Sequence, residues 1–319
     1  FILKIIQYDP KKPQIHSEQI KMKKSIGVNG LALTTISDPK GRLLERIVQD
    51  DLTEHTIPSC SLSDNQGEWA INFSEGDFDI SYDPQTKTIN YQNNSLRNAE
   101  WDILHLTRQT LDRQLQERGA VSFHSAALGY NGKGVIFFGG SGSGKSSLVL
   151  SASDKKEFDY VSNEITTVDS NQTIVAGTKL LVLKKGALER SFPNLVERGK
   201  EPTPEIRTLY GKDLFQERMA ALPIPISLVI NPILQENTFT YRTGKNIMRE
   251  ILYQDASSYI NGNYLLDRVT KPGAPNLDTP NCQKNRAQLI INMTNFWTLL
   301  TIEGGPDQIL EKVKGELEK

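Results

Sequence analysis

An α/β fold is predicted by three features of this 319-residue sequence. Apolar residues alternate with period two over short stretches near the N-terminus, as half-buried strands do, at Trp69-Ala70-Ile71-Asn72-Phe73 and Phe78-Asp79-Ile80-Ser81-Tyr82. The spacing then turns helical over residues 95–118. Further on, four apolar residues, Val135-Ile136-Phe137-Phe138, run straight into a glycine-rich loop and an amphipathic helix starting near Lys145. The length allows one large domain or two ordinary ones. The change of pattern sets the expected division: a smaller β-rich domain at 1–94 and a second domain at 95–319.

Each element has a local reason. Ile36 to Arg42 and Asp83 to Thr86 carry Pro, Gly and Asp at turn positions and are expected as loops. Leu96, Ala99, Ile103, Leu104, Leu111 and Leu115 recur at mostly helical spacing, with Ser95 as N-cap and Gly119 just past the end. Arg113 and Arg118 suit the negative end of that helix. Val121 to Leu128 reads as a strand leading into Asn131-Gly132, a hairpin signal, and then into the strand ending at Phe138. More strands are expected at 160–161, 165–168, 173–175 and 180–183. Ile309, Leu310, Val313 and Leu317 mark an amphipathic C-terminal helix.

Composition excludes several function classes. There are 37 Lys+Arg against 38 Asp+Glu, a net charge of -1, which argues against gripping nucleic acid or anionic lipid. No apolar run approaches the roughly 18–20 residues of a membrane span. The opening run Phe1 to Ile6 is short and broken by Lys4, so no secretory signal is expected. The two cysteines, Cys60 and Cys282, are far apart and lack metal-ligand spacing. A reducing, cytoplasmic setting is the expectation.

Chemistry concentrates in Gly139-Gly140-Ser141-Gly142-Ser143-Gly144-Lys145-Ser146, which fills every fixed position of the P-loop pattern and is followed by Ser147. Glycines let successive backbone N–H groups converge on phosphates without a Cβ in the way, and the following helix adds its positive end. Lys145 is expected to reach the β- and γ-phosphates of ATP and the Ser146 hydroxyl to hold Mg²⁺. A flexible Gly/Ser linker does not account for Lys145-Ser146 at that offset.

The flanks narrow the choice among nucleotide-binding classes. His124-Ser125-Ala126-Ala127 precedes a Gly132-Lys133-Gly134-Val135 hairpin, then come the P-loop and the triplet Ser162-Asn163-Glu164. This arrangement resembles the HPr kinase/phosphorylase and phosphoenolpyruvate carboxykinase superfamily, and HPr-kinase-related proteins most of all. The resemblance implies a P-loop kinase core of that type behind the β-rich N-terminal domain. It implies phosphoryl transfer from ATP to a hydroxyl, most naturally a Ser or Thr of a peptide or protein, and it suggests a homo-oligomer. Two acids end the triplet in that family, the first as proton acceptor and the second organising the metal. Here Asn163 stands at the first position and Glu164 at the second, and an Asn amide accepts no proton at neutral pH. The base is therefore Glu164 or another group, with Glu164 also on the metal. By the same resemblance His124 points at the γ-phosphate or at Glu164, as a charged stabiliser.

Basic residues beyond the core, among them Lys184, Lys185, Arg190, Arg198, Arg242 and Arg249, are ordinary surface charges by default. Arg207 is the candidate for substrate binding, within a mobile-looking stretch from Pro204 to Tyr210 that follows an exposed segment at 199–204. Two other functions stay open on the sequence: a kinase of free amino acids or sugars, and a nucleotide-binding regulatory module in which Asn163 marks lost catalysis.

Overall fold

In the computed structural model, residues 23–49, 52–140, 142–198, 200–260 and 275–319 are described. The run Phe1 to Ile6, His16, Ser141 and Gly199 lie outside them. Strands β1 (Lys23–Val28) and β2 (Ala32–Ser37) pair antiparallel. The stretch expected as loop after β2 is loop only at 38–41. There the buried Asp38 carboxylate accepts hydrogen bonds from the Leu43 and Leu44 N–H groups at 2.7 and 3.2 Å. That cap starts α1 (Arg42–Gln49), and α2 (Leu52–Thr56) follows. The N-terminal part is thus not built of strands alone. Leu43, Leu44 and Ile47 of α1 recur at helical spacing and are buried together, a short signal that the expectation of a β-rich domain passed over. Strands β3 (Cys60–Ser63), β4 (Trp69–Ser74), β5 (Asp79–Asp83) and β6 (Thr88–Gln92) complete a mixed six-stranded sheet in the order β3-β1-β2-β4-β6-β5.

Helix α3 (Leu96–Glu117) begins as expected, with the Ser95 hydroxyl accepting from the Asn98 N–H at 3.3 Å. It ends before Gly119, whose φ of 77° is one that a glycine adopts without strain. Then come β7 (Ala120–His124), β8 (Ala126–Tyr130), β9 (Lys133–Phe137), α4 (Lys145–Ser153), β10 (Phe158–Ser162), β11 (Ile165–Asp169) and β12 (Thr173–Gly177). A small antiparallel sheet holds β13 (Leu180–Lys184), β14 (Lys200–Thr203) and β15 (Ile206–Tyr210), with α5 (Lys185–Ser191) and α6 (Gly211–Leu214) beside it. The chain closes with β16 (Ile224–Leu234), β17 (Phe239–Arg242), α7 (Lys245–Ile260), α8 (Pro280–Phe296), β18 (Leu299–Gly304) and α9 (Pro306–Leu317).

The large sheet runs β10-β8-β9-β16-β12-β11-β7, with β18 added beside β16 and β17 beside β18. It is mixed: β16 lies parallel to β9 and β18 and antiparallel to β12. Its two faces follow the period of two. Ala126, Leu128, Val135, Phe137, Leu228 and Ile230 join one core with α4 and α9, while Ala127, Ile136 and Val229 join another with Met248 and Leu252 of α7. The architecture is mixed α/β with helices on both faces of this sheet. No described helix is long and apolar enough to cross a membrane.

Two expectations need correction. The strand expected from Val121 to Leu128 breaks at Ser125, and its halves stand at different places in the sheet. Helix α4, expected to be amphipathic, is buried nearly all round, because α9 covers the side turned away from β8 and β10. Helix α3 is likewise buried on most of its surface. It packs against β2 and β4 on one side and β7, α7 and α8 on the other.

That double burial places charges inside. Arg286 of α8, with a fully buried side chain, makes two hydrogen bonds of 2.8 and 3.0 Å to Asp278 and one of 3.2 Å to Gln116 of α3. Removing one member of such a pair leaves an uncompensated buried charge. Asp278→Ala should therefore cost about 3 kcal/mol of stability. A urea denaturation midpoint equal to that of the wild type would contradict this role.

Candidate functional site

Strand pairing brings the candidate residues together. β7 pairs antiparallel with β11 and β8 with β10, and Ser162 opposite Ala127 continues the register of Ile165 opposite His124. The pairs thus form one ribbon broken at Ser125 opposite Asn163 and Glu164; beyond the break the register shifts by one residue between Ser162 and Tyr160. One backbone bond spans the break, from the Ser125 N–H to the Glu164 carbonyl at 3.1 Å. The Ser162 hydroxyl donates to the Ile165 carbonyl at 2.7 Å, and the Thr178 hydroxyl accepts from the Glu164 and Ile165 N–H groups at 3.1 Å each. These bonds hold the triplet in a fixed turn. β9 lies beside β8 with Phe137 opposite Ala126, so the loop that leaves β9 starts next to the break.

The loop at 139–144 has the backbone its glycines permit. Gly139, Gly142 and Gly144 take φ angles of 145°, 86° and 98°, values that side chains rarely adopt. A Cβ on Gly144 would meet the Leu234 side chain at 2.4 Å, whereas a Cβ on Gly140 or Gly142 would enter open space. The loop therefore packs tightly at its exit and stays open at its crown, as a cradle for an anion requires. Lys145 opens α4 and is buried, with its ammonium donating to the Gly139 and Gly140 carbonyls at 2.6 and 3.1 Å. Ser146 and Ser147 are half-buried on the first turn. The Ser143 hydroxyl is buried and has no hydrogen-bond partner, a donor fitted to a group brought in from outside.

Three ionisable groups, Glu164, His124 and Asp255, interact electrostatically with this ammonium. Burial pushes the Glu164 carboxyl up to about 7, with Lys145 opposing the rise. Burial likewise pushes Lys145 below its ordinary value, and the charges of Glu164 and Asp255 oppose that fall. The His124 Nδ1 stands 3.8 Å from the Glu164 Oε2. This agrees with one of the two orientations expected of His124, but the expected charge is absent. Burial and the Lys145 charge bring His124 down to about 4, so the imidazole is neutral near pH 7. Asn163 is buried, and its amide donates to the Glu164 Oε1 at 3.3 Å, so it orients that carboxylate.

Asp255 of α7 was not singled out from the sequence. Its carboxylate accepts the backbone N–H of His124, and burial pushes it up to about 6. A signal existed: Met248, Leu252 and Ala256 form the buried stripe of α7, and Asp255 sits on that stripe, where an acid is out of place.

Arg207 is corrected. The stretch from Pro204 to Tyr210 is no mobile loop but contains β15, and β14 occupies most of the segment before it. The buried Arg207 side chain pairs with Glu201 at 2.8 Å and donates to the Val196 carbonyl at 3.1 Å, so it ties this sheet together. His55 and His105 are half-buried and desolvation holds both near 4.

Among the described residues, no group of three or more His, Cys, Asp and Glu is gathered to hold a metal. A metal here would depend on oxygens supplied by a phosphate ligand together with Ser146 and Glu164. Searches against protein-family models and curated proteins find no match for the chain.

A carboxyl raised by burial binds its proton more tightly in the folded chain than in the unfolded one. Stability attributable to Glu164 is therefore full below its ordinary value of 4.5 and declines as pH rises toward 7. Glu164→Gln should raise stability at pH 8 by about 1–3 kcal/mol, with no gain at pH 4. Thermal melts at both pH values check this, and an equal effect at both would contradict the raised value.

Proposed function

We propose that the chain is an ATP- and Mg²⁺-dependent kinase that transfers the γ-phosphoryl group to a hydroxyl, most naturally a Ser or Thr of a peptide or protein. The reading includes the P-loop kinase core of the HPr kinase/phosphoenolpyruvate carboxykinase type at 95–319, behind the N-terminal part at 1–94. One observation carries it: the anion-cradling loop and its Lys145 converge with a carboxylate, Glu164, raised to about 7.

The division of labour follows from the residues. Backbone N–H groups of residues 139–144 bind phosphate oxygens, and Lys145 exchanges its loop carbonyls for them. Ser146 and Glu164 are the residues that would hold Mg²⁺, which when bound neutralises charge on the phosphates. The acceptor hydroxyl displaces ADP from the γ-phosphorus, and its proton passes to Glu164. A base poised near the working pH suits that task. Asn163 accepts no proton, and its part is to hold the Glu164 Oε1 so that Oε2 faces the site. His124, neutral, flanks the carboxylate without competing for its proton.

The reading is tested by following Mg-ATP by phosphorus NMR with wild-type and Lys145→Ala protein. The protein is offered pooled hydroxy-amino acids, then pooled Ser/Thr peptides. A new phosphomonoester from the peptide pool, made only by the wild type, is the expected result. Product from the amino-acid pool alone would move the acceptor to a small molecule. A fully active Lys145→Ala would refute the nucleotide site, and ATP bound but never turned over would leave a binding module.

Glu164→Gln should lower turnover at least tenfold, with ATP affinity nearly unchanged. Wild-type turnover should fall below about pH 7 as Glu164 takes up its proton. A full-rate Glu164→Gln variant would remove Glu164 from the mechanism.

A further inference from the structure

Position 163 is the nearest neighbour of Glu164 in the chain, and it is filled by a buried, neutral amide. The turn between β10 and β11 thus contributes a single carboxylate to the surroundings of Lys145. A second carboxylate, on α7, acts on the same ammonium through its charge. Asp255 stands among apolar neighbours on that helix, yet its carboxylate bonds to the His124 N–H at the last residue of β7 before the ribbon break.

The backbone bond alone does not require an acid. Among the described residues β7 has β11 as its partner on one side and no strand on the other, so the His124 N–H takes an acceptor from outside the sheet. An Asn would supply that acceptor without a charge. Burying an ionisable carboxylate is costly unless its charge is used. The charged groups facing Asp255 are Lys145 at the start of α4 and Arg108 and Asp112 of α3; the His124 N–H meets it from β7. Of the two cations, Arg108 already pairs with Asp112 at 2.5 Å, and Lys145 is the one that belongs to the glycine-rich loop.

We infer that Asp255 is a positioning residue and the second carboxylate of the site, supplying from α7 the negative charge that Asn163 does not. Its bond to the His124 N–H sets the edge of the ribbon break, where His124 meets Glu164. Its charge draws the Lys145 ammonium and limits how strongly the empty loop attracts anions, so nucleotide is held without being trapped before transfer. This inference rests on the kinase reading, because it takes Lys145 as the phosphate-binding cation.

The test pairs Asp255→Asn, which keeps the hydrogen-bond acceptor and removes the charge, with Asp255→Ala, which removes both. ATP affinity is measured by calorimetry on the full chain without an acceptor, and turnover is measured by phosphorus NMR with the acceptor pool the wild type uses. Asp255→Asn should bind ATP about three- to tenfold tighter, because one negative charge near the phosphates is gone. Its turnover should fall about tenfold, because the Lys145 ammonium is no longer positioned by a charge from α7. The His124 backbone amide resonance should stay in place in Asp255→Asn and shift in Asp255→Ala. Unchanged ATP affinity in Asp255→Asn, or affinity and turnover weakening together, would reduce Asp255 to an acceptor for the edge of β7 and overturn the inference. Wild-type protein that binds no ATP, or Lys145→Ala protein that binds it equally well, would instead defeat the kinase reading and this inference with it.

Discussion

A single backbone hydrogen bond, from the Ser125 N–H to the Glu164 carbonyl, organises the candidate site. It carries the β7–β11 register across the break as far as Ser162 and Ala127, while the strands on either side join different parts of the sheet. Side chains at the break are released from the alternation that would otherwise bury them or expose them by turns. His124, Asn163 and Glu164 are gathered there, and the loop leaving β9 arrives at the same place because β9 is the neighbour of β8. Irregularities of this kind in a sheet commonly re-aim side chains next to functional sites. Here the re-aiming is anchored by Ser162 and Thr178, whose hydroxyls bind the backbone of the turn.

The electrostatics follow from that geometry and from burial. One ammonium, two carboxyls and one imidazole share a poorly solvated space, and burial disfavours the charged form of each. Glu164 and Asp255 rise, Lys145 and His124 fall, and the carboxyls and Lys145 partly rescue one another. Lys145 acts oppositely on the two kinds of group, lowering the carboxyls while pushing His124 further toward neutrality. A ligand carrying several negative charges would complete this arrangement rather than disturb it.

The surrounding frame is stiffened from both sides. Helix α3 contributes Ala99, Ile103, Leu104 and Leu111 to the core beneath the six-stranded sheet, and its polar residues reach α7 and α8. Gln109 donates to the Ile260 and Pro275 carbonyls at 2.7 and 3.0 Å, and Gln116 accepts from Arg286. Asp255 is therefore carried on a helix fixed against the same element that supports the N-terminal sheet. Position at the ribbon break is decided well away from the loop itself.

The sequence by itself determined the local elements whose cause lies within a few residues. The glycine-rich loop and the helix after it, the Ser95 cap, the turn at Asp83 and the apolar stripe of α9 were all legible, because φ restrictions, capping and periodicity act over short spans. Glu164 was singled out only through the resemblance of its triplet, since no local pattern marks it. Only the tertiary structure decided that the strand breaks at Ser125, that α4 is covered on both sides, and that Arg207 serves a sheet. It alone set Asp255 against His124, across some 130 residues of chain. Those outcomes depend on which distant segment becomes a neighbour, and therefore on competition for burial among whole elements. A hydrophobic pattern states that a face must be covered, and the packed fold selects what covers it.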